Sequence, residues 1–189
     1  MTSIRHVLII GGGFSGMATA IQCAKQGLKV DLVEIDGEWR AYGAGISIGG
    51  PTLRALKTIG VVEAVMERGY CGDGVNLFAA NGTPLGQLPT PRVAGPEIPG
   101  GGAIMRPILA DILAEATRAA GVHVRLGCTF SEIVQREDGV DVTLTAAFLC
   151  SAYFSPSASP ALHCDAQTGR IKTLTSPSSV TVVSRRVNR

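Results

Sequence analysis

VLIIGGGFSGMATAIQCAKQGLKVDLVE, residues 7–34, decides the fold of this chain. It reads as an apolar strand, a glycine turn, a helix, a second strand and a terminal carboxylate. Gly11, Gly13 and Gly16 stand in GxGxxG register, with Phe14 and Ser15 between the last two, and Glu34 follows roughly 20 residues on. Gly11 allows the tight turn out of the strand. Gly13 lets the backbone approach a pyrophosphate with no Cβ in the way, and Gly16 lets the helix pack close against the strand. The helix start offers unpaired N–H groups and about half a positive charge to phosphates. Glu34 can accept hydrogen bonds from both ribose hydroxyls of an adenosine, whereas a 2′-phosphate would meet it as a like charge. FAD or NAD is therefore favoured over NADP. A βαβ unit using its glycines only for packing is the competing reading. Strand, helix and terminal acid in the right order weigh against it.

Bulk properties narrow the field. At 189 residues the chain can form a domain of ordinary size with a real core. Its 46% hydrophobic and 17% charged residues fit a soluble globular protein, and a net charge of +2 is too small to argue for nucleic acid. No apolar run is long enough for an integral membrane segment, and the N-terminal apolar stretch runs into the fingerprint without a cleavage region. Cys23, Cys71, Cys128, Cys150 and Cys164 are scattered without a CxxC pair, which suits reduced thiols in a cytoplasmic protein and no metal site.

Further along, residues 4–10 and 29–35 read as strands around a helix over 14–26 that Gly27 closes. Residues 43–50 read as a glycine-rich connection without regular structure. Pro51 opens a helix carrying Leu53, Leu56, Ile59, Val62 and Val65 at helical spacing, broken near Gly60. Residues 75–79 form a strand that turns at Asn81 and Gly82, and residues 84–102 are loop with room for one short strand. A helix over 107–120 shows Ile108, Ile112, Leu113 and Ala116 on one face and ends at Gly121. Residues 122–126 return to strand. Residues 129–135 and 140–145 form an antiparallel hairpin across Glu137, Asp138 and Gly139.

The fingerprint alone cannot separate FAD from NAD. WRAYGAGISIGGPTLRALKTIGVVEAV, residues 39–65, resembles the segment following the ribose-binding acid in flavoprotein monooxygenases of the aromatic-hydroxylase type, the p-hydroxybenzoate hydroxylase family (group A). Arg40, the turn Gly43, Ala44, Gly45 and Ile46, Pro51, and the break at Ile59 and Gly60 carry the resemblance. IMRPILADILAEA, residues 104–116, resembles the family's Arg-x-x-Leu helix, with Arg106 beside the cofactor and Leu109 as its partner. The strands over 122–145, taken together as antiparallel, resemble the hairpin that the family inserts after this helix. The resemblance implies an α/β fold: a Rossmann-like FAD-binding βαβ domain over residues 1–145, incomplete, with an inserted antiparallel hairpin. A glycine turn can bring backbone N–H groups against a long cofactor. Arg40 and Arg106 can place guanidinium forks on phosphate or ribose oxygens, the plain alternative for each being a surface cation. Trp39 reads as a packing residue. His6, His123 and His163 show no partner pattern and receive no catalytic role.

Beyond Thr145 the resemblance stops. The family's Asp-Gly and Gly-Asp motifs are absent, and residues 146–189 are rich in serine, threonine and proline and end in a basic cluster. They read as an irregular tail, either frameshifted or genuinely disordered. The chain is thus expected to be a truncated family member, its incomplete sheet open to a partner chain. In full-length relatives, as the resemblance implies, NADH or NADPH reduces FAD, and the reduced flavin passes one oxygen atom from O2 to a small organic, often aromatic, substrate. The flavin carries that chemistry, so no acid, base or nucleophile is assigned here. The expected cofactor-binding residues are Gly11, Gly13, Phe14, Ser15, Gly16, Glu34, Arg40, Gly45, Ile46 and Arg106. Competing readings are a related flavin-dependent halogenase or reductase, an inactive nucleotide-binding fragment and, least supported, an NAD-dependent dehydrogenase.

Overall fold

The computed structural model describes residues 4–135, 139–146, 170–171 and 180–184, the last two stretches by their backbone alone. The chain divides into two compact units, one holding residues 1–12, 28–39 and 123–189, the other residues 13–27 and 40–122.

The first unit is built on a parallel sheet. β1 (His6–Ile10) and β2 (Lys29–Glu34) pair in parallel, Val7 opposite Val30 and Ile9 opposite Leu32. Parallel neighbours cannot be joined by a tight turn. The connection contains α1 (Phe14–Lys25), as the βαβ pattern requires. β8 (His123–Leu126) adds in parallel beside β2, so it belongs to this sheet and not to the antiparallel hairpin with which the sequence grouped it. β9 (Cys128–Gln135) and β10 (Val140–Ala146) form the expected antiparallel pair, while its turn at Glu137 and Asp138 lies outside the described residues. The apolar faces meet: Leu8 of β1, Val33 of β2 and Val142 of β10 are buried together, flanked by Ile10, Cys128, Val140 and Leu144.

The tail departs from its irregular reading at two points. β11 (Arg170–Ile171) pairs antiparallel with β10, and β12 (Val180–Ser184) pairs in parallel along the free edge of β1, giving the order β12-β1-β2-β8. The stretch VTVV is β-branched at every position, which suits a strand. Its signal was submerged in the serine- and proline-rich composition around it. Cys150, Cys164 and His163 lie outside the described residues.

In the second unit, α1 buries Met17, Ala20 and Ile21 at helical spacing. α2 (Gly50–Ile59) carries the expected proline in its first turn and is capped by Gly60, and α3 (Val62–Arg68) follows. Leu53, Leu56, Val62 and Val65 face inward, with Ile59 partly covered. α4 (Arg106–Ala119) buries Leu109, Ala110, Ile112, Leu113 and Thr117 and packs against α1 and α3. Ile108 and Ala116 are only partly covered, so the buried stripe is rotated slightly from the expected one.

One expectation fails in this unit. Residues 43–50 contain β3 (Gly45–Gly49), which pairs antiparallel with β7 (Gly101–Met105), itself paired to β4 (Tyr70–Gly72). Glycine content argued for loop, yet the backbone bonds of GISIG are satisfied by a strand far along the chain, and Ile48 and Ile104 are buried. β5 (Gly74–Phe78) and β6 (Pro84–Pro89) form a separate two-stranded hairpin turning near Gly82, the expected strand and turn, with β6 the one short strand at the start of the expected loop. Val75, Leu77, Phe78, Leu85 and Leu88 are exposed on it. Exposed apolar surface therefore concentrates on this hairpin, whereas the β1 edge is covered by β12.

Candidate dinucleotide site

The glycine turn leaves β1 with a backbone that only glycine tolerates well: Gly11 has φ +105°. Its N–H donates to the Val33 carbonyl at 2.8 Å, tying the loop to the end of β2. Gly12 is buried, and its N–H donates to Glu34 Oε2 at 2.5 Å. The other carboxylate oxygen, Oε1, accepts the Asp36 N–H at 2.9 Å. Glu34 is thus held by backbone donors on both sides, half-buried, at the end of β2. A carboxylate offers about four acceptor positions, and two of them are used.

A bound dinucleotide can be tested against this geometry. A side chain at Gly11 or Gly13 would meet no protein atom within 4 Å, so the protein's own packing leaves the space over both open. At Gly13 the backbone is extended (φ −70°, ψ 177°), a conformation any residue adopts. Neither strain nor internal crowding explains the glycine there, and the open space leaves room for a ligand to approach the backbone. Ser15 is exposed and Phe14 and Gly16 are partly exposed in the first turn of α1, where the helix leaves its N–H groups unpaired. The open space over Gly13 suits a pyrophosphate, and the acceptor positions left on Glu34 suit an adenosine ribose.

The second unit gathers another group of the expected residues. Gly45 pairs with Met105 and Ile46 with Ile104, and the Arg106 N–H donates to the Ala44 carbonyl at 3.2 Å. Gly43 has φ +114°, and a Cβ there would come within 3.3 Å of Arg106 Cδ. The structure therefore brings Gly43, Gly45, Ile46 and Arg106 together through a pairing between distant segments. Arg106 is the exposed first residue of α4, and no carboxylate among the described residues forms an ion pair with it. Arg40 places its guanidinium over the Tyr42 ring, 5.6 Å from the centroid.

A separate polar cluster went unseen in the sequence. Asp31, buried in the middle of β2, accepts His6 Nε2 at 2.5 Å and sits 2.6 Å from His123 Nδ1. Burial by itself pushes its pKa up, but the hydrogen bonds and charges of His123 and His6 outweigh this and hold the carboxyl below the ordinary range. His6 opens β1 and Gly11 follows its end, about 16 Å away at strand rise, so the cluster is no part of the glycine site. An acid inside an otherwise apolar strand was the available signal, because a buried carboxylate needs partners. Cys23, Cys71 and Cys128 are free thiols, and burial raises the pKa of the latter two, which makes them poor nucleophiles. Among the described residues no three His, Cys, Asp or Glu side chains form a metal cluster, and no helix is long and apolar enough to cross a membrane.

Comparison with known proteins identifies the family. The family model described as "FAD binding domain" matches residues 5–148, most of the chain. The chain belongs to the FAD-dependent monooxygenases of aromatic-hydroxylase type. This monooxygenase-family chain is 32% identical to 3-hydroxybenzoate 6-hydroxylase of Klebsiella oxytoca over 147 residues, 76% of its own length and 36% of the relative's. It is 32% identical to 2-heptyl-3-hydroxy-4(1H)-quinolone synthase of Pseudomonas aeruginosa over 139 residues, 74% of its length and 35% of the relative's. Among solved structures it resembles 2-methyl-3-hydroxypyridine-5-carboxylic acid oxygenase with a TM-score of 0.60 and 26% identity, covering 75% of this chain and 35% of that one. The chain spans about a third of the length of the relatives it matches. Its fold is the FAD-binding-domain fold of these flavoproteins.

Proposed function

We propose that this chain binds FAD through the Gly11–Gly16 turn and Glu34, as the cofactor-binding portion of an NAD(P)H- and O2-dependent hydroxylase of small aromatic compounds. One observation carries the reading. Two backbone N–H groups hold Glu34 and leave one acceptor position on each oxygen, two acceptors for the two vicinal hydroxyls of a ribose. Gly13 admits the pyrophosphate at backbone distance, and Ser15, Phe14 and Gly16 surround the α1 N-terminus, whose partial positive charge favours phosphate. Arg106 carries a guanidinium without an ion-pair partner among the described residues, suited to an anionic or ribityl oxygen. Arg40, Gly45 and Ile46 are assigned to cofactor contact on the same family pattern.

FAD, when bound, supplies the redox chemistry, accepting hydride from NADH or NADPH and activating O2. The chain's own residues bind and orient. An aromatic substrate is supported by the hydroxybenzoate and hydroxypyridine named for two of the relatives. Because the chain spans a third of their length, hydroxylation is proposed only with the remainder of the family architecture, supplied in the same polypeptide or by a partner chain that covers the exposed β5–β6 hairpin. Binding without turnover is the second reading, favoured by the same short span. The free thiols support a reducing, cytoplasmic setting.

The test is the visible spectrum of the purified chain before and after addition of FAD and desalting. A flavin band that survives desalting supports the reading, and a colourless protein overturns it.

A further inference from the structure

The chain has a single tryptophan, Trp39, and it is the only non-glycine residue with positive φ among those described, at +52°. For a bulky side chain this region is an outlier that persists only where the surroundings over-determine it. The surroundings are a run of hydrogen bonds. Asp36 N–H donates to Glu34, Glu38 N–H to Asp36 Oδ1 at 2.8 Å, and Trp39 N–H to the Asp36 carbonyl at 3.4 Å. The run ends on the glycine turn, where Trp39 Nε1–H donates to the Gly12 carbonyl at 2.7 Å. Gly12 is therefore gripped at both of its backbone groups, its N–H by Glu34 and its C=O by Trp39.

This explains a residue that the fingerprint leaves free. In GxGxxG the second position is open, yet here it is glycine. A Cβ on Gly12 would lie closer than 3.0 Å to the indole nitrogen and 3.1 Å from Glu34 Cβ. Trp39 occupies the space of that missing side chain. The grip also has a direction. The Gly12–Gly13 peptide is trans and planar, so fixing the Gly12 C=O toward the indole points the Gly13 N–H the opposite way. Gly13 is the position over which the protein leaves open space. We propose that Trp39 is a positioning residue of the dinucleotide site, its indole N–H locking the Gly12 peptide so that the phosphate-facing N–H of Gly13 is aimed before the ligand arrives. Order set beforehand is order that binding need not create. The proposal rests on the FAD reading above and adds to it a residue outside the fingerprint.

The experiment compares wild type with Trp39→Phe, which keeps an aromatic ring and removes the N–H. FAD affinity is read by flavin fluorescence, folding by thermal melting, and the site by 15N–1H spectra, in which the sole tryptophan gives one indole cross-peak. The expected result is a slowly exchanging indole N–H in the ligand-free protein that shifts on FAD addition. Trp39→Phe then melts cooperatively within a few degrees of wild type, displaces the Gly13 amide resonance without disturbing the sheet, and weakens FAD by about three- to tenfold, the worth of one neutral hydrogen bond. FAD bound equally by both proteins overturns the positioning role and leaves the FAD reading intact. Wild type that fails to bind FAD overturns the reading and the proposal with it. Should Trp39→Phe fail to fold, the wild-type spectrum alone decides: an indole N–H exchanging freely with water overturns the grip, and a protected one that moves with FAD supports it.

Discussion

Glu34→Gln separates the carboxylate's work in the folded protein from its work on the ligand. Glu34 accepts two backbone donors at once, Gly12 N–H on one oxygen and Asp36 N–H on the other. The amide has one oxygen, so one of these donors must face an NH2 group. A hydrogen bond to a charged acceptor is worth about 1.5–3 kcal/mol, discounted here to about 1–2 kcal/mol because Glu34 is half-buried and water can reach an abandoned donor. At this chain length that lowers the melting temperature by about 2–8 °C. With ligand the loss is separate: one of the two free acceptor positions disappears, and the ribose loses a charge-assisted bond. FAD affinity should fall by about ten- to a hundredfold. Calorimetric melting of the ligand-free variant and flavin fluorescence titration measure the two effects independently. A melting point within 1 °C of wild type together with unchanged FAD affinity would refute the reasoning at both levels.

Asp31 makes acid stability diagnostic. Its carboxyl sits below its ordinary range when folded, so the unfolded chain takes up the proton more readily. The stabilisation is complete above about pH 4 and is lost as pH falls through the lowered folded value. Asp31→Asn should cost about 1–3 kcal/mol near pH 7 and flatten this acid limb, as urea midpoints across pH would show. Leu53 is fully buried, and Leu53→Ala should destabilise the protein by about 2–5 kcal/mol, read by urea unfolding; a cost under 1 kcal/mol would mean that the α2 contact is not formed. Leu85→Lys with Leu88→Lys should reduce self-association in light scattering at unchanged melting temperature, because both side chains are exposed on β5–β6.

Local pattern and long-range pairing divide what could be read in advance. The β1–α1–β2 unit, the proline start of α2 and the Gly60 break were legible because each is set by residues within a few positions of one another. Glu34 was legible as the acid that closes the fingerprint by its distance from the glycines. Its two backbone donors were not, since they depend on how the turn closes. GISIG looked like loop because glycine carries no side-chain pattern. Its strand exists only because GGAIM, far along the chain, pairs with it, and that pairing also sets Arg106 against Gly43. The shared partner of His6 and His123 was missed for the same reason, Asp31 lying on a strand that becomes their neighbour only in the sheet.

The sequence by itself determined that this chain carries a dinucleotide fingerprint, because that signal is a periodicity and a spacing written along the chain, and its segments 39–65 and 104–116 carried the resemblance to the flavoprotein monooxygenases. Only the tertiary structure decided that Trp39 and Glu34 grip Gly12 from its two sides, that Asp31 is buried between two imidazoles, and that part of the tail joins the parallel sheet. Hydrogen bonds and strand pairings between residues distant in the chain exist only when the backbone brings their donors and acceptors within about 3 Å, and no local preference encodes that meeting.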